Sequence, residues 1–295
     1  MPELPEVETV ARGLAKRIAG DVIESVWLGS KPEPLKSPAS EIATILESAR
    51  IADVRRVGKH IVFDLEKTRV ARAPLRQAQG RLSPAKKSRH KISRTVENSA
   101  QWIVHLGMTG RMLVCKPDEP LEKHTHLIAK LSSGRELRFV DPRRFGRLSV
   151  SQNFQAPGLE PLEVELDRFV KLFRGRKTPI KSALLNQKLL SGVGNIYADE
   201  ALFRAGIRPR RRAASLSNEH LRRLYLAVQE VLKEAINLGG SSISDYVDAE
   251  GQEGFFQLQH RVYGREGEPC LVCKTPIKRI VIAGRSSHYC PRCQE

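Results

Sequence analysis

Four cysteines near the C-terminus set the tightest limit on how this chain can fold. Cys270-Leu271-Val272-Cys273 and Cys290-Pro291-Arg292-Cys293 form two C-x2-C pairs separated by sixteen residues. That is the ligand spacing of a four-thiolate site holding one structural Zn2+. A metal bound this way draws both pairs together, so Thr275 to Tyr289 must leave and return as a β-hairpin. Ile277, Ile280, Val281 and Ile282 give that stretch its strand character. Two disulfides are the competing reading, but no secretory leader is visible. The fifth cysteine, Cys115, stands alone and reads as a small core or surface residue.

With 295 residues the chain has material for about two domains. No run of eighteen apolar residues exists, so it reads as neither membrane-spanning nor exported. A net charge of +17 points to a polyanionic partner, most simply nucleic acid. Residues 66–100 carry ten Lys and Arg against two Glu and contribute +8 of that total. The remainder is still strongly basic. The segment from about 67 to 100 has little apolar periodicity and separates two strand-like runs, Ile61–Leu65 and Trp102–Leu106. It reads as a disordered basic insertion that adds nonspecific phosphate affinity.

The opening, Met1-Pro2-Glu3-Leu4-Pro5-Glu6-Val7-Glu8, carries chemistry. Removal of Met1 leaves Pro2 as a secondary amine, with a pKa of about 8 typical of α-amino groups. Such an amine condenses with an aldehyde carbon to give an iminium, and the adjacent Glu3 can shuttle protons.

Elsewhere the pattern predicts a first helix from Pro5 to about Ala19, ended by Gly20, and then short strands from Val22 to Val150. A linker follows at Gln155–Pro161. Beyond it the apolar period becomes helical. Thr178-Pro179 opens a helix toward Leu190, a second runs from Asn195 to Ala205, and a third from Ser217 to Gly239-Gly240. Leu221, Leu224, Val228, Val231, Leu232 and Ala235 form the buried stripe of the third.

Taken together, these motifs resemble the formamidopyrimidine-DNA glycosylases, the bacterial Fpg/MutM family. The likeness rests on the opening Pro2–Val10, Gly58-Lys59-His60, His105–Arg111, Asp141–Gly146, Gly192–Ala198, Val262–Arg265 and the four-cysteine finger. It spans the chain apart from the insertion. The fold it implies is α+β: an N-terminal β-sandwich flanked by helices over 1–153, a helix–two-turn–helix domain over 160–250, and a zinc-finger hairpin over 255–295.

The resemblance implies a cytoplasmic, monomeric base-excision enzyme. It would remove oxidised purines from double-stranded DNA and nick the abasic strand, with no diffusible cofactor. Pro2 would attack the sugar C1′, and Glu3 would act as acid and base. Lys59 would move protons during β-elimination, and Arg285 would serve δ-elimination. A guanidinium is a poor proton donor, so Arg285 is expected to neutralise phosphate charge. Met108, Arg143 and Phe145 would fill the space left by the flipped nucleotide, at Gly-flanked turns where exposure is expected. His124, Arg143, Lys177, Lys181 and Asn195 would contact DNA. Gly192 and Gly194 would let backbone N–H groups approach a phosphate at a helix start. Glu6 would be a structural helper, and residues 240–254 a mobile loop over the flipped base. Two rivals stay open: an endonuclease VIII-like enzyme for oxidised pyrimidines, and a non-catalytic DNA-binding protein.

Overall fold

The computed structural model describes residues 1–68, 96–241, 252 and 254–295. Helix α1 (Leu4–Ile18) starts at a capping box in which Glu3 and Glu6 exchange side-chain and backbone hydrogen bonds. Leu4, Val7, Val10, Ala11, Leu14 and Ile18 form its buried stripe, and Gly20 leaves it with φ +95°. There follow β1 (Ile23–Leu28), α2 (Ala39–Leu46), β2 (Arg50–Val57), β3 (His60–Thr68), β4 (Val96–His105), β5 (Arg111–Cys115), β6 (Thr125–Leu131), β7 (Glu136–Val140) and β8 (Arg147–Ser151).

These strands make two antiparallel four-stranded sheets, ordered β1-β6-β7-β5 and β2-β3-β4-β8. Between them lies a core that includes Phe63 stacked on Trp102 at 4.5 Å, with α1 packed on top. The expected sandwich is therefore present, with a helix, α2, that the sequence pattern did not reveal. The β3–β4 ladder continues to Thr68↔Val96. The expected insertion is thus shorter at both edges, and residues 69–95 lie outside the described part.

The helical region contains α3 (Leu166–Phe173), α4 (Ile180–Leu184), α5 (Asn195–Ala205) and α6 (Asn218–Asn237). Ser217 caps α6 by accepting the His220 N–H, and all six expected stripe residues are buried. Helix α3 was not expected. It buries Phe169 and Phe173, with Phe169 edge-on to Tyr225. The helix expected to reach Leu190 stops at Leu184. Local side chains offer the backbone better partners there: Asn186 Oδ1 accepts the Lys188 N–H. Gln187 donates to the carbonyls of Leu185 and Val193 and accepts the Gly192 N–H.

The finger hairpin is β9 (Lys278–Ile282) and β10 (Arg285–Tyr289), turning through Ala283 and Gly284, both at positive φ. Among the described residues its apolar core is small: Val262, Cys270, Ile277 and Cys290, with Phe203 of α5 packed against them. So few buried residues cannot order the two knuckles by burial alone, which is the part a metal on the four cysteines supplies.

His260 is buried under this region, where desolvation holds its imidazole down to about 4. Its folded pKa lies below the unfolded value near 6.5, so the unfolded chain binds the proton first as pH falls. The stabilisation is complete above about 6.5 and is lost toward pH 4; between pH 7 and 5 His260 alone accounts for about 2 kcal/mol. Urea unfolding of zinc-loaded protein at both pH values should show His260→Gln losing less stability than the parent. Equal losses would remove His260 as the cause.

Candidate active site

The site forms where the sandwich meets the helical region. The N–H of Leu4 donates to the Gly192 carbonyl at 3.0 Å, and Leu4 packs into the helical core. Pro2 is buried and Met1 exposed. Glu3 is 4% exposed. Its Oε1 accepts the Ile196 N–H at 3.1 Å, at the N-terminus of α5, while Oε2 is buried with no hydrogen-bond partner among the described residues. Burial drives the Glu3 carboxyl above the usual range and the Glu6 charge adds to this, against Lys59 and the Ile196 N–H. A carboxyl in that state can hold a proton on its unpartnered oxygen.

This geometry gives two glycines a packing role. A Cβ at Gly194 would sit 2.2 Å from Glu3 Cδ, and one at Gly192 (φ +102°) would sit 2.8 Å from Leu4 Cδ1. The Glu3 carboxylate sits at the start of α5. The physics is that of anion binding at a helix N-terminus, with the anion supplied by the chain itself.

Lys59 follows Gly58 (φ +61°) in the turn between β2 and β3. A Cβ at Gly58 would lie 2.2 Å from Ser191 Oγ, so only glycine lets this turn lean against the chain leading into α5. Lys59 is 6% exposed. Burial lowers its pKa and the Arg285 charge adds to this, while Glu3 and Glu6 oppose. Desolvation therefore pushes Glu3 and Lys59 toward their neutral forms in one pocket.

Arg56 holds the turn in place. Its guanidinium grips both oxygens of Glu160 at 2.7 and 2.9 Å, Glu8 at 2.7 Å and the Gly58 carbonyl at 3.2 Å. Burial alone would lower this arginine, but Glu160 and Glu8 outweigh it and keep the charge. Glu6 is a second hub: it accepts the N–H groups of Glu3 (2.7 Å) and Ser241 (2.8 Å) and the Tyr197 hydroxyl. It thereby fastens the start of the 240–254 stretch to the N-terminus. Most of that stretch, residues 242–251 and 253, lies outside the described part.

Arg285 is exposed at the hairpin tip. Asn195 Nδ2 donates to Ser286 Oγ at 3.3 Å, which links the start of α5 to that tip. Lys181 was expected on a phosphate, and this is corrected: it has no exposed surface. Its Nζ bonds Asp199 Oδ1 and the Ser286 carbonyl, each at 2.6 Å. Asp199 also accepts the Ser287 hydroxyl (3.1 Å) and the His288 N–H (2.9 Å). This buried pair, unforeseen from sequence, bolts the finger hairpin to α5. By contrast, Lys177 is exposed and His124 half-buried.

Met108 and Phe145 are 38% and 52% exposed, on neighbouring turns. The Arg143 guanidinium lies 4.9 Å over the Phe145 ring. Sequence reading missed what joins the turns: Asp141 accepts the Thr109 hydroxyl at 2.6 Å and the Gly146 N–H at 2.7 Å. A Cβ at Gly107 (φ +66°) would meet the Phe145 carbonyl carbon at 2.4 Å, so glycine allows the close approach.

In the finger, the sulfurs of Cys270, Cys273, Cys290 and Cys293 lie within 4.8 Å of one another, with Cys273–Cys290 at 3.4 Å and Cys270–Cys293 at 3.9 Å. A tetrahedral ion with Zn–S bonds of about 2.3 Å needs sulfurs about 3.8 Å apart, so the four thiolates fit one Zn2+. Cys290→Ser is expected to abolish stoichiometric zinc and to weaken DNA binding at least about tenfold, because folding of such a site is tied to its metal. Far-UV circular dichroism should retain the α5–α6 signal. Unchanged DNA affinity in zinc-free protein would contradict this.

Three family models cover the chain in order. They are the formamidopyrimidine-DNA glycosylase N-terminal domain over residues 1–148, its H2TH domain over 157–247, and the zinc finger found in FPG and IleRS over 267–295. A formamidopyrimidine-DNA glycosylase of Solibacter usitatus is 43% identical over 305 residues, covering 100% of both chains. The crystal structure of the MutM (Fpg) protein from Thermus thermophilus matches with a TM-score of 0.80 and 38% identity, over 99% of this chain and 98% of that one. Lactococcus lactis Fpg, in complex with an abasic-site-containing DNA, gives 0.83 and 32% over 99% of each chain. With its sandwich, its helix–two-turn–helix region and its four-thiolate finger all matched end to end, the chain belongs to the formamidopyrimidine-DNA glycosylase family.

Proposed function

We propose that this protein excises oxidised purines, 8-oxoguanine and formamidopyrimidines, from duplex DNA and then nicks the abasic strand. The observation that carries the reading is the pairing of buried Glu3 with buried Lys59 beside Pro2, both displaced toward neutrality. With Met1 removed, the Pro2 nitrogen attacks C1′, the bond to the damaged base breaks, and the departing base takes up the proton that the Pro2 nitrogen loses. Glu3 gives its proton to the sugar ring oxygen, the ring opens, and the nitrogen–carbon bond becomes an iminium. Neutral Lys59 accepts the C2′ proton, and the 3′ phosphate leaves. Arg285 offsets the phosphate charge as the second elimination follows.

Met108, Arg143 and Phe145 are proposed to occupy the gap left by the flipped nucleotide, on turns that Asp141 holds together. His124, Lys177 and Asn195 are proposed DNA contacts. The proposed working unit is a monomer of the bacterial cytoplasm, with domains at 1–153, 160–250 and 255–295. No helix among the described residues is long and apolar enough to cross a membrane.

Borohydride trapping on a duplex with 8-oxoguanine opposite cytosine tests this. A covalent adduct at the N-terminus is the expected result. Efficient trapping on thymine glycol with none on 8-oxoguanine would transfer the protein to the oxidised-pyrimidine class. Salt-sensitive binding without trapping on either would leave a DNA-binding protein only.

A further inference from the structure

We propose that residues 176–181 and 208–214 form a second phosphate-binding strip that takes duplex backbone flanking the lesion. The proposal rests on the DNA-repair reading above. The two segments run antiparallel: Ile180 N–H donates to the Arg211 carbonyl (2.8 Å), Ala213 N–H to Thr178 (3.0 Å) and Ala214 N–H to Arg176 (2.7 Å), with Pro179 bridged to Arg212. The ribbon is rigid because Lys181, buried within it, is fixed to Asp199 and to the finger through the Ser286 carbonyl.

Its five arginines divide into two sets, and Arg176, which donates to the Leu172 carbonyl, belongs with those used by the fold. Arg208 is spent on the fold, donating to the carbonyls of Gln294 and Pro291. So is Arg211, which reaches His220 and the carbonyls of Glu295 and Ser215. Arg210 and Arg212 are exposed, as is Lys177 on the facing segment, and none of the three pairs with a carboxylate among the described residues. The strip continues into a cleft between Arg210 and the finger residues Ile280 and Tyr289, with Glu295 on its wall. Lys278, opposite Tyr289 in the hairpin, extends the exposed positive charge.

Three cations with no carboxylate partner among the described residues repel one another on one rigid ribbon, a cost that Glu295 in the adjoining cleft does not remove by ion pairing. A polyanion of regular spacing does. Guanidinium groups suit it because they shed water readily and meet phosphate oxygens through two donors. Residues 176–181 and 208–214 present no exposed large apolar side chain, which disfavours a protein partner. Arg210 and Arg212 are thus assigned to phosphates outside the stretch held at the lesion.

The test uses full-length, zinc-loaded protein and an uncleavable tetrahydrofuran abasic analogue, in duplexes of about 10 and about 30 base pairs, with affinity followed against salt. On the long duplex, Arg210→Ser/Arg212→Ser should lower the slope of log affinity against log salt by about 2. The parent's advantage should then shrink about tenfold between 50 and 200 mM salt. On the short duplex the slopes should coincide, and Arg210→Lys/Arg212→Lys should keep most of the long-duplex slope. Equal slopes on the long duplex would make the strip an ordinary solvated face. An equal fall on both lengths would put the contacts inside the lesion footprint. Either result overturns the proposal. Failure of the repair reading is seen separately, as parent protein that gives no borohydride adduct on 8-oxoguanine duplex.

Discussion

A chain that cannot shed the residue ahead of Pro2 is expected to give no borohydride adduct and to lose about 10³-fold or more in strand nicking, the scale of a lost nucleophile. The reason is electronic. An amide nitrogen delocalises its lone pair into the carbonyl, whereas the secondary amine of a free Pro2 keeps its pair for attack on C1′. Placing one extra, non-cleavable residue before Pro2 makes the comparison, with N-terminal mass spectrometry to verify each preparation. DNA affinity should change little, because the phosphate contacts lie elsewhere. An adduct of undiminished yield from the extended chain would remove Pro2 from the chemistry and point to an internal lysine, Lys59 first.

Gly194→Ala should produce the other large effect. The new methyl would fall 2.2 Å from Glu3 Cδ and 2.4 Å from Oε1, closer than any real contact. The carboxyl must then leave the start of α5, losing the Ile196 N–H and its place beside Lys59. Misplacing a general acid costs about 10²- to 10⁴-fold, so base excision should drop by at least about 10². Stability should fall by about 1–3 kcal/mol from overpacking. Gly29→Ala is a fitting control, since like Gly194 it lies outside the positive-φ region and its nearest neighbours stand at an ordinary 3.6 Å. If Gly194→Ala excises 8-oxoguanine at the parent rate, Glu3 does not need the helix N-terminus to work.

The sequence made much of this legible for identifiable reasons. The finger follows from cysteine spacing alone. Helices α1, α5 and α6 are long enough, or capped clearly enough, for their apolar period to show. Helices α2 and α3 have eight residues each and bury only two side chains apiece, too few repeats to establish a period. Lys181 was misread because its partner Asp199 is eighteen positions away, and nothing local marks a lysine as buried. Gly192 and Gly194 were singled out without their packing partners. Their neighbours, Leu4 and Glu3, come from the opposite end of the chain. Residues joined across such distances are where a one-dimensional pattern has least to say.

The paired ends of β3 and β4 have a further consequence. Because the ladder closes at Thr68↔Val96, whatever sequence lies between leaves and re-enters the sheet at adjacent points. Relative to a two-residue turn, closing a loop the length of 69–95 costs only about 2 kcal/mol, and each further doubling about 0.6. Chain inserted between the ends of β3 and β4 therefore costs the sheet little entropy. A lineage, or an engineer, can graft a tether, a reporter or a recruitment tag there without redrawing the catalytic pocket.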